Sequence, residues 1–161
     1  MLRLIALLCL IAPPAAANQL QSLLPGAEQR GAATFRLLGM PVYQARLFTK
    51  NAAALDWSQD FAIELTYQRR ISHVDLTSAT LREMRRMGNP APPETKLAAC
   101  FQSVSPGDRY LAVSRGPDRV DFLHNGRKTC SLQHSEIKSH FMSIFLGENS
   151  RSASFTRGLL G

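Results

Sequence analysis

Cysteine, histidine and tryptophan are scarce in this 161-residue chain, at three, four and one, and their spacing excludes more than their number does. There is no C-x-x-C pair, so the usual mark of a dithiol redox motif or zinc ribbon is missing. His73, His124, His134 and His140 show neither i,i+4 spacing nor clustering, so no metal set is expected and no cofactor is indicated. No G-x-S-x-G brackets Ser72, and adjacency to His73 and Asp75 does not make it a hydrolase triad. Internal repeats, low-complexity tracts and linker-like stretches are also absent. The longest uncharged apolar run, Leu4–Ala12, has nine residues, well short of the about 20 that span a bilayer.

That run follows Arg3 and precedes Pro13-Pro14 and Ala15-Ala16-Ala17, the layout of a secretory leader with an A-x-A cleavage site. Cleavage after Ala17 is expected, leaving residues 18–161 as a single exported domain, periplasmic or secreted, with no transmembrane segment. Lipidation at Cys9 is the weaker reading, because Ala6-Leu7-Leu8 lacks the small residues expected before a lipidated cysteine. A hydrophobic content of 45% with 19% charged residues excludes a disordered chain, and the length suits one core. Without Arg3 the balance is 18 basic residues to 12 acidic, a surplus of +6. The basic residues are scattered over Arg69-Arg70, the 82–86 segment, Arg109 to Arg119 and Arg127-Lys128, which argues against a nucleic-acid stripe. Cys100 and Cys130 remain after cleavage, and spacing leaves two readings open: a disulfide, or two buried thiols.

Periodicity predicts an antiparallel α+β domain. "GAATFRLLGMPVYQARLFTK" has strand composition on both sides of a Gly39-Met40-Pro41 turn, and Arg36 points to the face opposite Phe35 and Leu37. "FAIELTYQ" predicts a third strand with Phe61, Ile63, Leu65 and Tyr67 on one side. A helix follows, capped by Asp75 or Thr77, stopped at Gly88, with Leu76, Thr80, Met84 and Met87 as its core stripe. "PPETKLAACFQSV" predicts a second helix carrying Leu97, Cys100, Phe101 and Val104. Two strand segments, "GDRYLAVSRG" and "DRVDFLHNGRKTCSL", are joined at Gly116-Pro117, and Asn125-Gly126 marks a tight hairpin. The chain closes on a helix with Ile137, Phe141, Ile144 and Phe145 on one face, ended by Gly147, and a short second helix. The order β-β-β-α-α-β-β-β-α-α places helices against an antiparallel sheet.

In this order, "GAATFRLLGMPVYQARLF", "YQRRISHVDLTSATLREMRRMG", "VSPGDRYLAV", "DFLHNG" and "FMSIFLGENSRSASFTRGLLG" resemble the chalcone isomerase-like family, especially its small exported bacterial members. The resemblance spans nearly all of residues 31–161. It implies an open-faced β-sandwich, a curved antiparallel sheet backed by a layer of helices, with a cleft between them. Plant enzymes of that family catalyse a cyclisation, whereas other members bind fatty acids. Counting from the shared glycines, the plant catalytic positions are not matched: Arg36 stands for a threonine, Ser72 for a tyrosine, Ala79 for an asparagine and Ile144 for a hydroxyl. The upstream arginine falls near Leu24, with Arg30 the nearest arginine. Chalcone isomerase activity is therefore not expected.

What the resemblance leaves is binding of a fatty acid or similar small lipophilic carboxylate in the cleft. Arg36 is the candidate guanidinium for the carboxylate, and Tyr43 and Tyr67 are candidate hydroxyl donors. Arg36 is equally compatible with a solvent-facing place on an edge strand, and the tyrosines with core packing that leaves hydroxyls at the rim. The alternatives are a scaffold with a closed cleft for an envelope protein partner, and an isomerase or lyase of altered chemistry.

Overall fold

The computed structural model describes residues 15–161, with side chains from Asn18 onward. The expected leader lies outside the described residues except for its last three, whose backbone begins a helix. That helix, α1 (Ala15–Leu23), is followed by β1 (Ala27–Leu37), β2 (Met40–Lys50) and β3 (Ala62–Tyr67), then α2 (His73–Arg86) and α3 (Glu94–Ala98). β4 (Arg109–Ser114), β5 (Arg119–His124) and β6 (Arg127–Gln133) complete the sheet, and α4 (Ile137–Leu146) and α5 (Ala153–Leu160) close the chain. The six strands lie in sequence order and every neighbouring pair is antiparallel. This is the expected α+β open-faced sandwich. α1 is an addition to the expected order.

Period-two alternation divides the sheet into two faces. Tyr43, Ala45 and Leu47 of β2, Ile63, Leu65 and Tyr67 of β3, Tyr110 and Ala112 of β4 and Phe122 of β5 turn toward α2, α4 and α5 and form the main core with them. Phe48, Ala62, Leu111, Val113 and Leu123 turn the other way and form a second cluster under Leu20 and Leu24 of α1 and the turn after it. Without α1 those five apolar side chains would face water, so the N-terminal helix is part of the domain's packing. Polar groups on that face are paired: Arg46 bonds Glu64, and buried Asp121 collects Arg115, Arg119, Lys128 and Ser131.

Several local expectations shift. The β1–β2 turn is the two-residue Leu38-Gly39, both at positive φ (50° and 79°), not Gly39-Met40-Pro41. The α2 cap is Ser72, whose Oγ accepts from the Asp75 amide at 3.1 Å and donates to the Asp75 carboxylate at 2.7 Å. Capping by the side chain three residues upstream puts the helix start ahead of both expected positions. The stripe moves as well: Thr77, Leu81 and Met84 are buried, while Leu76 and Thr80 are only half-buried. α3 is a single short turn of helix, because Pro92 and Pro93 precede it and Val104 leaves to pair with Ile71 as a β-bridge. α5 lies directly on β1. A Cβ on Gly31 would meet the Gly158 carbonyl oxygen at 2.6 Å, so this contact requires glycine.

Cys100 and Cys130 form a disulfide with Cα atoms 5.0 Å apart, tying the end of α3 to edge strand β6. This settles the two open readings in favour of the bridge.

Candidate functional site

A cavity of about 440 Å³ lies between the sheet and the helices, within the range of about 300–1,000 Å³ usual for small-molecule sites. Its floor is the concave sheet face: Phe35, Tyr43, Ile63, Leu65, Tyr67 and Phe122. Its roof comes from α2, through Leu76, Ala79 and Thr80, and from α4, through Phe141, Ile144 and Phe145. Leu37, Asp75, Ser78, Arg82 and Arg151 line it and are also exposed, which marks the mouth between the β1–β2 hairpin and α2.

The wall is aromatic and interlocked. Phe35 stacks on Tyr43 at 5.2 Å between centroids, and Phe155 meets both edge-on at 5.8 and 6.0 Å. Tyr67 meets Tyr43 at 5.9 Å and Tyr110 at 6.4 Å. Such packing holds the rings in fixed orientation, so the hydroxyls they carry are fixed too.

Arg36 does not belong to this site. Its side chain is exposed and its guanidinium donates to the Gly39 carbonyl at 3.2 Å, within its own hairpin. The alternation that put Arg36 opposite Phe35 was correct, and it is Phe35 that faces the cavity. Tyr43 and Tyr67 do line the cavity. Among the described residues neither hydroxyl donates to a protein acceptor, and the Tyr43 oxygen lies beside the Arg151 guanidinium. Of the positions counted from the glycines, Ala79 and Ile144 fall on the wall as apolar groups, Ser72 caps α2, and Leu24 packs on the opposite face of the sheet. Arg30 binds the carbonyls of Leu160 and Gly161 at 2.8 and 2.9 Å, holding α5 against β1.

Two guanidiniums reach the cavity: Arg82 stands exposed at its mouth, and Arg151, in the loop between α4 and α5, lies against its wall. Arg151 lies 4.5 Å over the Phe35 ring and 3.5 Å from a Glu83 carboxylate oxygen. Glu83 is buried and is shared with Arg86, at 2.9 Å, which also donates to Asn149 at 2.7 Å. Two arginines on one carboxylate leave this trio with one net positive charge. A guanidinium stacked on a ring keeps its N–H edge for a second partner. Periodicity could not have found Arg151, since it lies in neither helix and its place depends on how the loop folds back over β1.

Burial pushes the Tyr43 phenol up to about 12, against the pull of the adjacent Arg151 and helped by Glu83. Burial raises Tyr67 as well, with Tyr43 and Tyr110 adding to it. Both phenols are therefore neutral hydrogen-bond donors throughout the physiological range. A base would need the opposite shift, toward neutrality. The set of Arg151, Arg82 at the mouth and two neutral donors around an apolar chamber can hold an anionic head and enclose an apolar tail.

No family model matches the sequence, and no curated protein matches it. The fold does have counterparts among solved structures. A fatty-acid binding protein of Arabidopsis thaliana superposes with a TM-score of 0.65 over 84% of this chain and 87% of that one, at 9% sequence identity. The likeness is one of fold, and that fold is the chalcone isomerase-like one.

Proposed function

We propose that this protein binds a long-chain fatty acid or similar lipophilic carboxylate in the sheet–helix cavity, with Arg151 receiving the carboxylate and Tyr43 and Tyr67 donating to it. The observation that carries this reading is the meeting, in one apolar chamber, of the ring-stacked Arg151 guanidinium with the hydroxyls of Tyr67 and of Tyr43, the latter lying beside that guanidinium with its own O–H free to donate. The plant neighbour of the same fold, itself described as binding fatty acids, supports it. The open mouth speaks against a scaffold whose cleft is closed. The proposal includes export, which the leader-like N-terminus and the disulfide support, since such bridges persist in oxidising compartments. It also includes the absence of chalcone isomerase chemistry, which the apolar Ala79 and Ile144 on the wall support.

Calorimetric titration with a saturated long-chain fatty acid tests the reading. Wild type is expected to bind, Arg151→Gln to weaken binding by about tenfold or more through the lost charge-assisted hydrogen bond, and Arg36→Gln to leave it unchanged. Glu83 keeps Arg86 in the variant, and a melting curve verifies its fold. Absent binding in wild type, or equal affinity of wild type and Arg151→Gln, would overturn the proposal.

A further inference from the structure

The hairpin at the cavity mouth carries a residue that its own backbone does not favour. A two-residue turn with positive φ at both positions calls for Asn-Gly or Gly-Gly, yet the first position is Leu38, at φ 50° and 92% exposed. A branched apolar side chain there gains no packing, opposes the preferred conformation and meets water. Its neighbours are exposed too, Leu37 by 53% and Met40 by 49%, so the tip presents three contiguous large apolar side chains. Leu37 is at once tip and cavity wall. Across the mouth Val74 is 57% exposed on the first turn of α2, one turn before Ser78 on the same side of the helix.

The charge around these residues has one dominant sign. Arg36 sits in the tip beside the Gly39 carbonyl, and the Arg69 guanidinium lies against the Met40 sulfur at 3.9 Å. Arg82 and Arg151 stand at the mouth itself. The exposed acid facing them is Asp75, which is already engaged by Ser72, and buried Glu83 is held by Arg86 and Arg151. Exposed leucines and methionine ringed by arginines match a surface with an apolar interior and anionic headgroups. Among the described residues no helix is long and apolar enough to cross a membrane.

We propose that the β1–β2 tip docks the protein onto an anionic lipid surface, inserting Leu37, Leu38 and Met40 so that the cavity mouth opens against the acyl layer. A ligand drawn from a bilayer would then pass along Leu37 and Val42 without crossing water. The purpose of this docking rests on the fatty-acid reading, but its geometry does not, and the two are tested apart.

The experiment is co-sedimentation of the processed chain, its N-terminus verified by mass, with fatty-acid-free vesicles of phosphatidylcholine alone or mixed with phosphatidylglycerol. Wild type is expected to partition onto the mixed vesicles and to leave them at high salt. Arg36→Gln and Arg69→Gln are each expected to weaken partitioning by about fivefold. Leu38→Asn is expected to weaken it by about tenfold through the lost apolar burial, while melting no lower than wild type because asparagine suits the turn. Equal partitioning of wild type and Leu38→Asn would overturn the proposal, as would wild type that ignores anionic vesicles. A wild-type dimer dispersed by Leu38→Asn without vesicle binding would overturn it in favour of self-association. Fatty-acid titration of Leu38→Asn in solution separates the two readings: retained affinity with failed docking removes only this one.

Discussion

Tyr43 carries its hydroxyl into a chamber that disfavours the phenolate, and this couples the site to stability at high pH. Its proton is released at about 10 from the unfolded chain and about 12 from the folded one. The stability gained by keeping it neutral is fully present below pH 10 and is lost as pH rises through 12. The whole window amounts to about 2–3 kcal/mol. Tyr67 shifts in the same direction. Urea midpoints measured from pH 9 to 11.5 (roughly the window those values set) are expected to fall with pH in wild type and to fall less steeply in Tyr43→Phe. Identical slopes would show that the phenol is not held neutral by the fold. The residue scale is also where the sequence was least explicit about the site. Strand alternation correctly separates Arg36 from Phe35 but does not say which face is concave, and the cavity took the phenylalanine side. Tyr43 and Tyr67 were legible because they share a strand face with Ala45, Ile63 and Leu65. Arg151 was not, because its position comes from a loop wrapping back toward Phe35 and Glu83, contacts more than sixty residues away in sequence.

At the scale of elements, the strands and the long helices were legible from period and punctuation, and the exceptions have physical causes. α1 looks like the tail of a leader because alanines begin it, yet Leu20 and Leu24 are the residues that cover the second sheet face. α3 is cut short by the backbone demand of the Ile71–Val104 bridge, which no hydrophobic pattern announces. What holds this irregular segment is covalent. Cys100 bonds Cys130, Thr129 Oγ donates to the Cys100 carbonyl at 2.7 Å, and the Gln102 amide donates to the Tyr110 hydroxyl at 2.6 Å. Between them Phe101 forms part of the cavity wall and packs edge-on to Tyr110 and Phe122 at 5.9 and 5.5 Å. Losing the bridge should therefore loosen both the fold and one side of the chamber. Reduction, or Cys130→Ser, is expected to lower unfolding stability by about 2–4 kcal/mol and to weaken fatty-acid binding with it. Unchanged denaturant midpoints with and without reductant would remove the bridge from this role.

For the whole molecule, the cavity is a departure from the close packing that a domain of this size would otherwise reach. Each apolar group lining it forgoes contacts, so the empty fold is less stable than one filled in. If the chamber exists to be occupied, filling it from within should raise stability and lower affinity together. Ala79 is the place to do so, since it is half-buried on α2 and lines the chamber. Ala79→Leu adds three carbons to the roof of the chamber without changing helix propensity much. At about 0.8 kcal/mol for each buried methylene, the gain is about 2 kcal/mol, or about 4–8 °C in melting temperature for a domain this long. The same variant is expected to bind fatty acid less tightly, because the added carbons take volume from the chamber. Stabilisation with undiminished affinity would move the ligand elsewhere in the molecule. Destabilisation would mean that the roof already packs against the sheet at Ala79 and that the chamber is smaller there than its walls suggest.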